Sequence, residues 1–496
     1  MSKNKKILFI NPSKWGRGIT PIWIASHVSL LRKHNYKCDL FDCTFYSDWS
    51  DYEIKVNTQN LQFQETNYLE VIKFKKNILE SLKKKISDFK PDIVFWSALS
   101  SHIHGEGEYV NIDHGYDLLK KIEKNFLMVC GGIQATVDPN LILNKYKSID
   151  VVISGESEKV LLEILNSENN KFEEIKGITF RGKNKNILNT GKQKIFNDLD
   201  FLCNYDYSLF DDQVFLRPYN GEIVRAIDYE ISRGCIYTCA YCVETVIQKY
   251  YDLDDHNSSG TLLKPKNYLR NKSAKKIFDE ISYIVKHFKI ELFRCQDTNF
   301  LTIDRPTLIE LAELIDNSDL KIKLYIETRP EGINEKSIKL LKKLKVDGVG
   351  MGIEMSDDSF RKGTLNRHVV QDKILKAFSL LANHGIKRTA YNIIGLPDQS
   401  EESIVSTIEF NIKLNPDVSS VAYYSVYSGT NLGEKNKDNY DDNLKNMDAQ
   451  IRSKIVNHSK INKNLFEFYK DNFNYFIKNK MLNYEKKRAE WLQKFN

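Results

Sequence analysis

Residues 231–242 read ISRGCIYTCAYC, with Cys235, Cys239 and Cys242 in C-x3-C-x2-C spacing directly behind the short run Tyr229-Glu230-Ile231-Ser232, which reads as a strand. Three thiols on one short loop can converge on a single metal centre, whereas the other five of the eight cysteines are scattered. A structural zinc needs four ligands, and no further Cys or His stands in the loop to close the tetrahedron. An iron–sulfur cluster held by three cysteines instead leaves one iron open for a substrate or cofactor. The spacing favours the cluster, with Tyr241 placing an aromatic ring just before the last cysteine; zinc or unliganded cysteines are the alternatives.

Working outward from the loop, a βα series runs downstream to about Tyr424. Strands are expected at Glu230 to Arg233, Glu291 to Gln296, Lys323 to Glu327, Gly348 to Ile353, Arg388 to Ile394 and Ser419 to Tyr424, and six βα units fit a partial barrel. Upstream, from Lys5 to about Asn166, five more βα units carry strands that are apolar throughout: KILFINP, KCDLFD, DIVFWS, FLMVCGG and DVVISGE. Such strands are buried on both faces, which predicts a doubly wound parallel sheet with ligands at the carboxyl ends of its strands. Those ends carry Asn11-Pro12, Ser97 to Ser101, Gly131-Gly132 and Ser154-Gly155-Glu156. Lys176 to Phe196 reads as a small hairpin and Leu199 to Asn220 as an irregular linker. Beyond Gly433 the chain turns Lys/Asn-rich and then helical from about Asp448, with Phe466, Tyr469, Phe473, Phe476 and Ile477 on one face. That face is expected to cap the barrel, the alternative being a substrate or partner surface. The expected division is 1–170 as a Rossmann-like domain, 171–224 as hairpin and linker, 225–430 as barrel and 431–496 as a helical region.

Composition agrees with this α/β layout. A chain of 496 residues holds about three domains, and 41% hydrophobic with 28% charged residues excludes disordered and fibrous classes. The formal net charge of +7, spread over so long a chain, is no nucleic-acid signature. The start, MSKNKKILFINP, is too short in apolar residues for a secretion signal, and no apolar run reaches a membrane-spanning length. The expectation is a cytoplasmic protein with unpaired cysteines.

The C-x3-C-x-aromatic-C string ahead of a βα series resembles the defining motif of the radical S-adenosylmethionine (SAM) enzymes. The resemblance implies that Cys235, Cys239 and Cys242 ligate a 4Fe–4S cluster whose open iron is chelated by SAM, and that SAM is cleaved to a 5′-deoxyadenosyl radical which abstracts hydrogen. A radical so reactive requires a dry, enclosed site. Further strings resemble the subgroup that carries a cobalamin domain: Glu327-Thr328-Arg329-Pro330 after the third strand, Gly352-Ile353-Glu354 after the fourth with Arg361 and Arg367 behind it, and Gly395-Leu396-Pro397 with Glu401 and Glu402 after the fifth. Carboxylates suit ribose hydroxyls and the SAM amine, and arginine suits its carboxylate. The resemblance thus makes Tyr241, Glu327, Arg329, Glu354, Arg367 and Gly395 SAM-binding candidates, each of which, taken singly, reads equally as part of a structural ion pair or turn. At the second strand Arg294-Cys295-Gln296-Asp297 departs from the acidic or Gly-Gly-Glu stretch usual there, which leaves Gln296 or Asp297 for the amine. Cys295 reads as a small buried hydrophobe, with a radical or proton donor near the substrate as its catalytic alternative.

In the first domain, Gly131-Gly132-Ile133-Gln134-Ala135-Thr136 resembles the GG-x-x-AT string of cobalamin-dependent radical SAM enzymes, and Ser154-Gly155-Glu156-Ser157-Glu158 resembles their GEGE string. The implied cobalamin contacts are Ser97, Leu99, Gly131, Gly132, Thr136, Gly155 and Glu156. The D-x-H-x-x-G string that places a histidine on cobalt is absent, Asp113-His114-Gly115 being the nearest. The resemblance therefore implies a cobalt without a protein histidine, its lower face resting on the loop from Ser97; His102 and His104 read as surface residues, with ligation as their alternative. A nucleotide or flavin domain is the competing reading. The implied activity is methylation of an unactivated carbon in a small molecule or natural product, with electrons from a flavodoxin- or ferredoxin-type donor. The alternatives are a cyclase, ring-contraction or rearrangement enzyme without methyl transfer and, from another class, a structural-metal scaffold or sensor.

Overall fold

The computed structural model describes residues 5–14, 19–50, 66–97, 112–168, 171–182, 184–424, 427–436 and 463–494. The first sheet holds β1 (Lys6–Asn11), β2 (Lys37–Asp42), β3 (Ile93–Ser97), β4 (Leu127–Gly131), β5 (Val151–Ile153), β6 (Ile178–Arg181) and β7 (Ile187–Asn189), in the order β2-β1-β3-β4-β5-β6-β7. Strands β1 to β5 run parallel. Alternate side chains leave the sheet on opposite sides: Ile7, Phe9, Phe95, Val129 and Val151 enter one core, and Leu8, Ile10, Val94, Trp96, Met128 and Val152 the other. Both faces are thus covered, which is why these strands carry no polar alternation. The strand order reverses between β1 and β3, so the ligand crevice of such a sheet opens at the ends that carry Asn11 and Ser97.

The expected hairpin does not stand apart. Its strands β6 and β7 add antiparallel to β5, with Phe180 opposite Val151, and extend the first sheet. The stretch expected as linker ends in β8 (Leu216–Tyr219), which pairs antiparallel with β9 (Glu222–Tyr229). Segment 171–224 is therefore shared between the two sheets.

The second sheet is completed by β12 (Leu292–Cys295), β13 (Lys323–Glu327), β14 (Val346–Glu354), β15 (Lys387–Ile394) and β16 (Val418–Tyr423), in the order β16-β15-β14-β13-β12-β9-β8, while β10 (Ser232–Arg233) and β11 (Arg270–Asn271) form a separate ribbon. Six of the seven strands are parallel and make the partial barrel. Its first strand is β9, upstream of the expected Glu230 to Arg233. Glu222, Arg225 and Asp228 disguise it as a polar stretch, yet Ala226 to Tyr229 pair with Leu292 to Cys295. Asp228 is tolerated in the interior because Arg217 donates to both its oxygens, at 2.9 and 2.5 Å. Thr20 of the first domain adds hydrogen bonds at 3.0 and 3.1 Å. A buried carboxylate persists when it is paired in this way.

The helices Lys463–Lys478 and Tyr484–Leu492 close the far side. Phe466, Phe468, Tyr469, Phe473 and Phe476 are buried against Ile394, Ile404, Ile408 and Val421, with Ile477 half-buried beside them. The aromatic face expected for this helix packs on the end of the barrel; its expected onset near Asp448 lies outside the described residues. Lys470 donates to the Val421 carbonyl on edge strand β16, so the sheet edge is covered. Among the described residues no helix is long and apolar enough to cross a membrane.

Candidate functional site

The cysteine loop runs from β10 to the helix Glu244–Tyr250. Gly234, just before the first cysteine, has φ +97, and a Cβ there would meet the Tyr268 carbonyl at 2.7 Å, so only glycine turns the chain at this point. The Gln248 amide donates to the carbonyls of Cys235 and Tyr237 at 3.0 and 3.1 Å. Backbone hydrogen bonds of 2.8 to 2.9 Å tie Thr238 to Gly260, Ala240 to Leu365 and Leu432 to Ala240, so two other loops and the helix Asn431–Asn436 hold the cysteine loop in place. Cys235 and Cys239 are buried and Cys242 is half-buried. Burial pushes the Cys235 thiol up to about 12 and raises Cys242 as well, so these thiols stay neutral until a positive group sits among them. Arg329 brings one guanidinium close, with Nη1 3.5 Å from the Cys239 sulfur and its plane 3.7 Å from the Tyr237 ring. No three His, Cys, Asp or Glu side chains among the described residues close on a single ion. Three soft donors spread over one buried loop suit a wider iron–sulfur cluster better than one zinc.

Around the loop stand most of the expected SAM residues. The Tyr241 hydroxyl donates to Glu354 Oε1 at 2.8 Å, Arg367 Nη1 lies 3.7 Å from the same oxygen, and Arg367 Nη2 donates to the Gly352 carbonyl at 2.5 Å. The Arg367 Nε is buried without an acceptor, a donor left over for a ligand. Glu354 ends β14 at φ +62, a left-handed conformation rare outside glycine, and such strain of about 1–3 kcal/mol concentrates at functional sites. Glu327 accepts from the Tyr391 hydroxyl at 3.1 Å. Gly395, at φ +79, donates its N–H to Gln399 at 2.8 Å. Arg361, by contrast, is fully buried and bound to the Met355 and Val369 carbonyls and to Asp358, a structural placement.

The two residues expected to share the SAM amine separate. Gln296 lines the cavity between the domains and donates to Asp228 at 2.8 Å. Asp297 turns into the backbone, where Oδ1 accepts from Ser232 N and Oγ at 2.6 Å each and from Ile231 N at 3.1 Å. Burial nonetheless holds its carboxyl up at about 6. Its place is that of a clamp on the turn between β9 and the cysteine loop. Cys295 packs into the hydrophobic core, and burial raises its thiol well above the ordinary value.

The cavity, of about 210 Å³, lies where the two domains meet. The first domain lines it with Trp23, His27, Ser97, Gly132, Thr136 and Gly155 to Glu158, and the barrel with Glu230, Ser232 to Gly234, Val243, Glu244, Tyr268, Arg270, Gln296 and Thr298. Gly234 and Val243 are the neighbours of Cys235 and Cys242, so the cavity reaches the cysteine loop. Five of the expected cobalamin residues, Ser97, Gly132, Thr136, Gly155 and Glu156, meet here; Gly131 instead faces the Phe95 ring, and Leu99, His102 and His104 lie outside the described residues. The Thr136 hydroxyl donates to Gly132 O at 2.9 Å and accepts from Gly155 N at 2.8 Å, so the two glycine strings form one stitched corner. Gly132 and Gly155 take φ +98 and +80, and a Cβ at Gly155 would meet the Tyr251 hydroxyl at 2.6 Å, so glycine lets this corner pack against the helix that follows the cysteine loop.

Sequence reasoning missed the charges that join the domains here. Arg233 pairs with Glu158 at 2.6 Å and Glu230 at 2.7 Å, and Arg270 pairs with Glu156 at 2.8 Å. Burial alone would raise Glu158, but Arg233 and His27 hold its carboxyl down at about 2. Glu158 and Arg233 sit inside the two strings that were singled out, beside the glycines and cysteines that drew attention; Arg270 has no local signal.

Comparison with known proteins follows the same two halves. The B12 binding domain model matches residues 18–165 and the Radical SAM superfamily model residues 229–410. An anaerobic magnesium-protoporphyrin IX monomethyl ester cyclase of Rubrivivax gelatinosus is 23% identical over 441 residues, 86% of this chain and 69% of that protein. An uncharacterised methyltransferase of Pyrococcus horikoshii is 24% identical over 355 residues, 71% of each chain. Among solved structures, the radical SAM methyltransferase TsrM of Kitasatospora setae, with tryptophan substrate and a SAM analogue bound, superposes with a TM-score of 0.66 at 15% identity, covering 87% of this chain and 75% of its own. The cobalamin-dependent SAM radical enzyme OxsB, with aqua-cobalamin and SAM bound, gives 0.64 at 15% identity, covering 99% and 71%. At that identity the likeness shows the fold.

Proposed function

Because the chain belongs to the cobalamin-dependent radical SAM enzymes, we propose that it is a methyltransferase that acts on an unactivated carbon of a small molecule held between its two domains. The observation that carries this reading is the single cavity lined at once by the glycine corner of the first domain and by the neighbours of Cys235 and Cys242. When bound, the 4Fe–4S cluster, SAM and cobalamin supply the electron, the hydrogen-abstracting radical and the methyl group.

The chain's own residues hold and enclose them. Cys235, Cys239 and Cys242 ligate the cluster, and Arg329 offsets the charge of the Cys239 thiolate. Tyr241, Glu354 and Arg367, already joined to one another, hold the polar end of SAM, the free Arg367 Nε being suited to its carboxylate. Glu327 and Gly395 would complete that rim, and Gln296, whose amide nitrogen is held by Asp228, would offer its amide oxygen to the SAM amine. Ser97, Gly132, Thr136, Gly155 and Glu156 cradle the cobalamin. The ion pairs of Arg233 and Arg270 draw the domains together over the cavity, which keeps water from a radical site.

The cyclase among the relatives supports a second reading, ring formation without methyl transfer. Anaerobic reconstitution with iron, sulfide and hydroxocobalamin, followed by reduction with SAM, separates the two. Methyl transfer yields both 5′-deoxyadenosine and S-adenosylhomocysteine and a product heavier by one methyl group. Deoxyadenosine alone, with a product that has lost hydrogen, selects cyclisation, and neither nucleoside refutes both.

A further inference from the structure

The functional reading leaves one buried charge unused, Arg294 in β12. The residue is 5% exposed, makes no hydrogen bond among the described residues, and buries its Nε without an acceptor. Its nearest carboxylate is Asp228, with Nη1 3.6 Å from Oδ1, beyond hydrogen-bond length. That carboxylate is already taken: Arg217 donates to both oxygens at 2.9 and 2.5 Å, Gln296 donates at 2.8 Å, and Thr20 donates at 3.0 and 3.1 Å. A guanidinium carries five donors in a planar fork; here Nε is buried without an acceptor and neither terminal nitrogen has a hydrogen-bond partner among the described residues. Neutralising Asp228 needs one arginine; the barrel floor holds two.

The surroundings suit a ligand. Opposite Arg294 the interior face of β14 carries Gly348 and Gly350 in place of side chains, and a Cβ at Gly350 would meet the Tyr325 hydroxyl and the Tyr391 ring, each at 2.7 Å. Tyr325 and Tyr391 share a hydrogen bond of 3.0 Å, both feel the charge of Arg294, and Glu327 accepts from Tyr391 at 3.1 Å. Arg294 lies two residues before Gln296, which lines the interdomain cavity, so it sits one tier below that cavity's floor. The SAM residues gather one layer above, around Cys239 and Tyr241.

We propose that Arg294 binds a carboxylate of the substrate, which enters the barrel from the interdomain cavity; this rests on the reading of that cavity as the reaction site. The fork's two terminal nitrogens offer parallel N–H donors to the two carboxylate oxygens, and the hydrogen-bonded Tyr325–Tyr391 pair borders the same space.

The test uses the anaerobically reconstituted holoenzyme in sodium acetate, sodium phosphate or sodium chloride at equal ionic strength, for the native chain, Arg294→Met, Arg294→Lys and Arg217→Met. At acetate about ten times its Kd, linkage raises the folding equilibrium of the native chain about tenfold over chloride. The melting temperature therefore rises, and Arg294→Met loses that rise. In chloride Arg294→Met melts at or above the native chain, since an unused buried charge gives way to an apolar side chain of similar length. Arg217→Met melts lower. Arg294→Lys, which keeps the charge without the fork, folds and gives a weaker acetate response. An acetate response that survives in Arg294→Met, a phosphate response in place of the acetate one, or an Arg294→Met melt as low as that of Arg217→Met overturns the proposal. SAM affinity stays unchanged in Arg294→Met; its loss reassigns the carboxylate to SAM and overturns the substrate assignment. Formation of 5′-deoxyadenosine without substrate is read separately, so that its absence in the native chain refutes the radical reaction while the acetate comparison still judges Arg294.

Discussion

At the residue scale, the cysteine loop and its neighbours divide into groups proposed to hold a cofactor and groups that hold the loop. Cys239→Ala removes one of three ligands and is expected to abolish the iron–sulfur absorbance and SAM cleavage while the first domain still binds hydroxocobalamin; retained SAM cleavage refutes the ligand assignment. Glu354→Ala leaves the cluster intact and weakens SAM binding about tenfold, as loss of a charge-assisted hydrogen bond worth about 1.5 kcal/mol implies. Equilibrium dialysis decides this, and an unchanged Kd makes the Tyr241–Glu354–Arg367 network purely structural. Asp297 belongs with the groups that hold the loop, and its titration shows it. Burial keeps its folded carboxyl at about 6, above the ordinary 3.8, so the folded state holds that proton more tightly than the unfolded chain. Its contribution is complete below the ordinary value and is lost as pH rises through about 6. In Asp297→Asn this slope disappears: the stability of the native chain relative to the variant falls by up to about 3 kcal/mol between acid and neutral pH, measured by urea denaturation. A difference that is flat with pH refutes the clamp as described.

At the scale of elements, β14 shows how a strand's composition follows from what it faces. Gly350→Ala puts a Cβ 2.7 Å from the Tyr391 ring, and overpacking of this kind costs about 1–3 kcal/mol. A denaturation midpoint unchanged from the native chain would mean that the tyrosines give way freely. The strands that the sequence displays best are those buried on both faces, such as Ile93–Ser97, since an unbroken apolar run has few other readings. Strand β9 was hidden for the opposite reason. Its Asp228 is paid for by Arg217 on a neighbouring strand and Thr20 in the other domain, partners that no local window contains. The hairpin β6–β7 was visible as a hairpin, but its docking on β5 rests on edge hydrogen bonds that leave no trace in composition. Likewise the cysteines and glycine strings announced the site, whereas Arg233, Arg270 and Arg294 are arginines whose meaning depends on which carboxylates reach them or fail to.

At the scale of the whole molecule, the two domains are joined by apolar, hydrogen-bonded and charged contacts. One hydrophobic cluster runs from Phe9 and Phe95 in the first sheet to Ile227 and Phe293 in the second. Thr20 reaches the barrel floor through Asp228, and Arg233 and Arg270 bind Glu158 and Glu156 across the cavity. Such an interface couples the stability of the glycine corner to that of the cysteine loop, because the same ion pairs border both. Glu158→Gln tests the coupling. Its carboxyl is held near 2 by Arg233, so the pair contributes fully above the ordinary value of 4.5 and is lost progressively as pH falls from there through about 2. Removing that charge leaves Arg233 to Glu230 and the more distant Glu156 and costs up to about 3–5 kcal/mol, the range for breaking one partner of a buried pair. Among the described residues Trp23, Trp49 and Trp96 report on the first domain, and the iron–sulfur absorbance reports on the barrel. In the native chain the two signals are expected to change together along a urea titration. In Glu158→Gln the tryptophan transition moves to lower urea and separates from the cluster transition, and hydroxocobalamin binding weakens with it. Coincident transitions at an unshifted midpoint would make the ion pairs incidental and place the burden of domain docking on the shared hydrophobic cluster.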